Sequence, residues 1–192
     1  MKYIIYGVIG VAVLGYLFMN DKGKGNVNLA QVLQRSELAM DSYDKYLKKN
    51  NIDKATDKHL EQLNSYLQTA MNRPPMQDGL VVATRLGKDA KFTGVADANG
   101  NGFADPEEKK LFTLEIDGQN KRLIATGSDG SGTSRGFSGM GFVAGALIGS
   151  MLGRQRSAGI SPSSFSNRKL TSPRAYNAAR SRARSGGLRG GK

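Results

Sequence analysis

The stretch Asp97–Glu108, DANGNGFADPEE, constrains the chain more than any other. Oxygen-bearing side chains recur at Asp97, Asn99, Asn101, Asp105 and Glu108, with Gly100 and Gly102 between them. Alternate residues of a tight loop can converge on one point, and Gly102 permits the sharp turn that a side chain would obstruct. A hard cation takes six to eight oxygens, so this spacing is what a cage for one requires. Whatever fold the chain adopts must therefore hold both ends of a closed twelve-residue loop.

Position by position the stretch resembles the calcium loop of the EF-hand and of dockerin-like repeats: Asp97 at 1, Asn99 at 3, Asn101 at 5, Gly102 at 6, Asp105 at 9 and Glu108 at 12. Phe103, at 7, would offer its backbone carbonyl. The resemblance implies Ca²⁺ as cofactor and covers only these residues. Lys91–Ala96 (KFTGVA) contains Gly94 and β-branched residues, so the loop is entered from a strand, where an EF-hand has a helix. No second loop is present to pair with it. The expected role is structural: two of the side-chain ligands are neutral amides, and low ligand charge suits a weak site where calcium is abundant.

Around the loop the pattern is α+β. Asn28 can cap a helix, with Gln31 three residues on to reciprocate. Leu29, Val32, Leu33, Met40, Tyr43 and Leu47 then form one stripe, and Ile52, Leu60, Leu63, Leu67 and Met71 a second, ending before Pro74-Pro75. Residues 28–73 are thus expected to form a helical hairpin. Residues 77–127 read as a small antiparallel β-rich calcium-loop region with strands at 80–84, 91–95, 111–116 and 122–126, and Asp117–Asn120 as a hairpin turn. Residues 128–135, rich in glycine and serine, read as a linker.

Two apolar stretches flank this core. Tyr3–Met19 is uncharged for 17 residues, and segment 1–20 reads as a membrane anchor, with a cleaved signal as the competing reading. In segment 136–153 glycine recurs every fourth residue at Gly141, Gly145, Gly149 and Gly153. Such a face lets helices approach closely in lipid, whereas in water each glycine costs about 1 kcal/mol against alanine. The segment is expected to be a glycine-zipper membrane element that mediates self-association or contact with another membrane protein.

The net charge of +12 sits in the tail. Up to Arg135 there are 18 basic and 16 acidic residues, whereas Arg154–Lys192 holds ten basic residues and no acid. That tail, 154–192, has few large apolar residues and is expected to be disordered, with anionic lipid or nucleic acid as its partner. If both apolar stretches span, the charge asymmetry puts residues 20–135 outside a bacterial inner membrane and the tail inside.

With no cysteine there is neither a disulfide nor a thiolate nucleophile. His59 is the only histidine, on the second helical stripe, and Asp105, Glu107 and Glu108 lack any evident pocket for acid–base work. The resulting expectation is a membrane-anchored calcium-binding structural or adaptor protein, not an enzyme. The alternative is an exported or virion-associated protein that binds nucleic acid or another anionic polymer through its basic tail.

Overall fold

The computed structural model describes residues 27–136, 145–166 and 168–185. Helices α1 (Leu29–Lys49) and α2 (Asp57–Asn72) come first, followed by strands β1 (Val82–Leu86), β2 (Phe92–Ala96), β3 (Lys110–Asp117), β4 (Arg122–Gly127) and β5 (Gly132–Gly136). Helix α3 (Gly145–Ser157), a 3₁₀ turn at Pro162–Phe165 and helix α4 (Pro173–Ser185) follow among the described residues. The expected α+β architecture is present.

The two helical stripes are buried as their spacing demands. Leu29, Val32, Leu33, Met40, Tyr43 and Leu47 of α1 meet Leu60, Leu63, Leu67 and Met71 of α2 in one apolar cluster. The helices run antiparallel, since Tyr43 donates to Gln62 Oε1 at 2.8 Å while Arg35, nearer the start of α1, reaches the far end of α2. Asn28 Oδ1 caps α1 by accepting the N–H groups of Ala30 and Gln31 at 3.1 and 3.3 Å. At the start of α2, His59 Nδ1 accepts the Thr56 N–H at 3.0 Å, so the lone histidine is a helix-capping group.

Helix α2 ends without glycine, and Arg35 supplies what that end lacks. Its guanidinium donates to the carbonyls of Ala70 (3.0 Å), Met71 (2.9 Å) and Pro74. A cation at a helix C-terminus satisfies the orphan carbonyls and opposes the macrodipole. Burial lowers the Arg35 pKa from its ordinary value.

The sheet is a simple meander in the order β1-β2-β3-β4-β5, every pair antiparallel. On the face toward the helices stand Val82, Thr84, Phe92, Phe112, Leu114, Ile116, Leu123 and Ala125. Gly94 lies under the Phe112 ring, where any Cβ would overlap it, and the β2–β3 register shifts just after Gly94. This bulge bends β2 at the point where the chain leaves for the candidate loop.

Three expectations are corrected. The 128–135 segment is not a linker: Gly127–Ser131 is a tight turn, closed by Gly127 N to Ser131 O at 2.8 Å, and β5 follows it. The glycine-zipper segment is not a free membrane element where it is described. Leu147 and Met151 of α3 are fully buried in the domain core, and Gln155 Nε2 donates to the Ile116 carbonyl at 2.9 Å. A glycine-rich helix is tolerated here because those three side chains, four residues apart, supply the packing. Among the described residues no helix is long and apolar enough to cross a membrane. The anchor assigned to 1–20, and Gly141, lie outside the described residues.

Nor is the basic tail disordered as far as Ser185. Phe165 is buried, Arg168 makes a two-point ion pair with Glu115 on the second face of the sheet, and Thr171 N donates to Gly132 O at 2.9 Å. Arg168 also stacks 4.9 Å from the Phe165 ring centroid, and its bond to Glu115 holds its pKa above the ordinary value. The sequence signal for order was one buried aromatic and one paired arginine, too sparse to read from composition. Helix α4 contacts both α1 and β5, so the described part of the tail packs on the body of the domain.

Candidate metal centre

The loop Asp97–Glu108 connects β2 to β3, so it is entered from a strand. Two backbone bonds clamp its ends: Ala96 N to Lys109 O at 2.9 Å, and Asp97 N to Val81 O at 3.0 Å. Gly100 and Gly102 both take positive φ, +71° and +77°, which side chains rarely adopt. These two glycines turn the chain back so that the oxygen-bearing residues face one another.

The proposed ligands fall into two connected groups. Asn99 Nδ2 and Asn101 Nδ2 both donate to Asp105 Oδ2 at 2.9 Å, and these bonds hold the Asp105 pKa below the ordinary carboxylate value. The amide oxygens of the same residues accept the N–H groups of Asn101 (3.0 Å) and Phe103 (2.7 Å). Each amide oxygen keeps a second lone pair after doing so. Glu108 spans the loop, its Oε1 accepting from Ala98 N at 2.9 Å and its Oε2 from Asp105 N at 3.1 Å. The Phe103 side chain is 72 % exposed, in keeping with a position whose contribution is its carbonyl.

Asp97 is the exception in this network. Its side chain is only 9 % exposed, and Oδ2 accepts the Gly102 N–H at 3.0 Å. Its Oδ1 is buried with no hydrogen-bond partner. An unpartnered buried carboxylate oxygen is costly, and natural structures offset it with a proton, a water or a cation. The donor set around it is all oxygen, which fits Ca²⁺ and excludes soft-metal chemistry. Among the described residues no three or more His, Cys, Asp or Glu side chains are gathered as a ready cage. Ligation would thus require Glu108 and the amides to turn inward from their local hydrogen bonds.

A residue that the sequence pattern did not single out joins the loop to the body. Gln68 Nε2 of α2 donates to the Gly102 carbonyl at 3.0 Å, while its Oε1 accepts the Thr84 N–H of β1 at 3.1 Å. Gln68 is the middle of a stripe. Asn64 Nδ2 donates to Thr84 O at 2.8 Å, and Asn72 both donates to Val82 O (2.7 Å) and accepts from Val82 N (2.9 Å). Three amides spaced four residues apart on one helix face therefore satisfy the outer edge of β1. The available signal was that spacing, Asn64-Gln68-Asn72, beside the apolar stripe.

Comparison with protein-family models finds no match, and comparisons with curated proteins and with solved structures find none either.

Proposed function

We propose that this protein is a membrane-anchored structural or adaptor domain stabilised by one calcium ion between β2 and β3. Asp97, Asn99, Asn101, Asp105 and Glu108 would hold the ion with the Phe103 carbonyl. The observation that carries this reading is Asp97 Oδ1, a buried carboxylate oxygen left without a hydrogen-bond partner at the head of an oxygen-rich loop. Bound Ca²⁺ would neutralise that charge and fix the loop, and binding to the folded chain alone stabilises it by mass action.

The ion would act as a staple, not as a sensor, because the loop is clamped to the sheet at both ends and has no helix to swing. Anchoring would come from Tyr3–Met19, with the domain on the calcium-rich, extracytoplasmic side. Assembly with another copy or another membrane protein would run over α3, where Gly149 and Gly153 face open space. Catalysis forms no part of this reading.

Thermal unfolding of the full chain in calcium and in chelator tests it. At a calcium concentration one hundred times Kd, stabilisation of about 2.7 kcal/mol should raise Tm by roughly 5–10 °C. Magnesium should do less, since it demands stricter octahedral geometry. A melting temperature indifferent to calcium, chelator and Asp97→Ala alike would remove the metal.

A further inference from the structure

We propose that the outward side of α4 binds anionic phospholipid headgroups next to the point where the N-terminal apolar stretch joins the domain. The proposal rests on the reading of Tyr3–Met19 as a membrane anchor and adds a second, electrostatic contact to it.

Helix α4 is held at that junction by its own side chains. Tyr176 Oη and Arg180 Nη1 both donate to the Val27 carbonyl, at 3.3 and 3.2 Å. Only residues 20–26 separate Val27 from the end of the apolar run, a reach of at most about 25 Å. With the run in a bilayer, α4 is therefore kept near its surface.

The sides of the helix differ. At about 100° per residue, Pro173, Tyr176 and Arg180 share the half-buried inner side, and Arg174, Ala175, Ala178, Ser181 and Arg182 the exposed outer one. The outer side carries arginine among small residues and no bulky apolar group. It therefore meets a charged surface by electrostatics and does not wedge into acyl chains as an interfacial amphipathic helix does. Lys169 is exposed just before the helix, and the stretch from Lys169 to Lys192, both ends included, holds seven basic residues and no acid.

Lipid fits these observations better than nucleic acid. A duplex-binding surface commonly makes six or more phosphate contacts, and single strands need stacking rings, whereas the one ring of α4, Tyr176, is turned inward. Beside an anchor, a few cations suffice, because the anchor holds them at high local concentration. Each cation near an anionic surface adds roughly fivefold to binding.

The chain has no cysteine, so Ala178→Cys carries a single fluorophore in the full-length protein. The labelled protein is reconstituted into phosphatidylcholine vesicles with or without 30 % phosphatidylglycerol, with quencher on the headgroups. Quenching should be at least twofold stronger in the anionic vesicles. It should fall to the neutral level in 0.5 M salt or in the Lys169→Gln/Arg174→Gln variant. The same label at the exposed Ser65 on α2 should not respond. Equal quenching in both vesicle types, with the chain still co-floating, overturns the α4 contact and leaves the anchor standing. Failure to co-float with vesicles of either composition overturns both. Displacement from anionic vesicles by a 20-bp duplex at equal ionic strength would transfer the surface to nucleic acid.

Discussion

Two strands of this sheet lead into a buried aspartate, Asp117 as the last residue of β3 and Asp97 just after β2, and the chain answers the two carboxylates differently. Asp117 closes β3 with no solvent exposure, and both its oxygens are engaged. Oδ1 accepts from Asn120 N at 3.1 Å, and Oδ2 from Asn120 Nδ2 at 2.7 Å and Arg122 Nε at 2.8 Å. Asp97, one residue past β2, has a backbone N–H on Oδ2 and nothing on Oδ1. The β3–β4 turn carries its own cation, whereas the β2–β3 loop holds a buried charge with none. Richness in Asp, Asn and Gly therefore does not by itself mark an ion site. What sets the β2–β3 loop apart is a carboxylate that the surrounding chain leaves incompletely answered.

Substituting each aspartate tests that contrast. Asp117→Ala should be the most damaging, costing about 3–5 kcal/mol by stranding Arg122, and calcium should not restore it in denaturant unfolding. Burial pushes the Asp117 carboxyl up, but the bonds from Asn120 and Arg122 outweigh it and hold the group below its ordinary value. A depressed folded-state value means stability that is complete above the unfolded carboxylate range, near pH 4. It is lost as pH falls through the folded value. Wild type should therefore hold an advantage over Asp117→Asn at neutral pH that shrinks as acid is added below about pH 4. An advantage independent of pH would show that the charge on Asp117 is immaterial.

Asp97→Asn should behave in the opposite sense. With chelator present its stability should equal or slightly exceed that of wild type, because a buried carboxylate with one oxygen unanswered has been replaced by a neutral amide. With calcium it should forgo the whole gain of about 2.7 kcal/mol expected at one hundred times Kd. Calorimetric titration and thermal unfolding of the two proteins side by side give both readings. A large loss in chelator would mean that Asp97 is a turn residue like Asp117, and the contrast would collapse.

The smallest effect should come from Gln68→Ala, about 1–3 kcal/mol, since it leaves the Gly102 carbonyl and the Thr84 N–H without their partner. If the loop and the helix act together, this variant should also weaken calcium binding. Hydrogen exchange at Thr84 should then become faster with calcium affinity unchanged only if the two are independent.

Much of the fold was legible because burial imposes periodicity. The α1 and α2 stripes, four of the five strands and the Asp117–Asn120 turn all follow from it. β5 was missed because Gly-Thr-Ser-Arg-Gly has no bulky residue to alternate, and its place comes from pairing with β4. The segment that holds α3 was misread since its regularly spaced glycines outweighed Leu147 and Met151, whose burial depends on the distant surface that receives them. The place of the Asp97–Glu108 loop between two strands was legible because its Asn and Gly residues break an extended run and favour turns. Long-range partners such as Gln68 and Arg168 carry no local pattern, so nothing short of the folded chain reveals them.

The amide row on α2 also limits how the molecule can grow. A meander leaves two outer strands whose free N–H and C=O groups can template another chain. Along β1, Asn64, Gln68 and Asn72 take those groups at Val82 and Thr84, much as a neighbouring strand would. At the other end Thr171 pairs with β5 through a single parallel bridge. The sheet thus terminates itself at five strands. Chains crowded together on a surface would not zip into fibrils through β1, and the weaker guard at β5 is where such templating would begin.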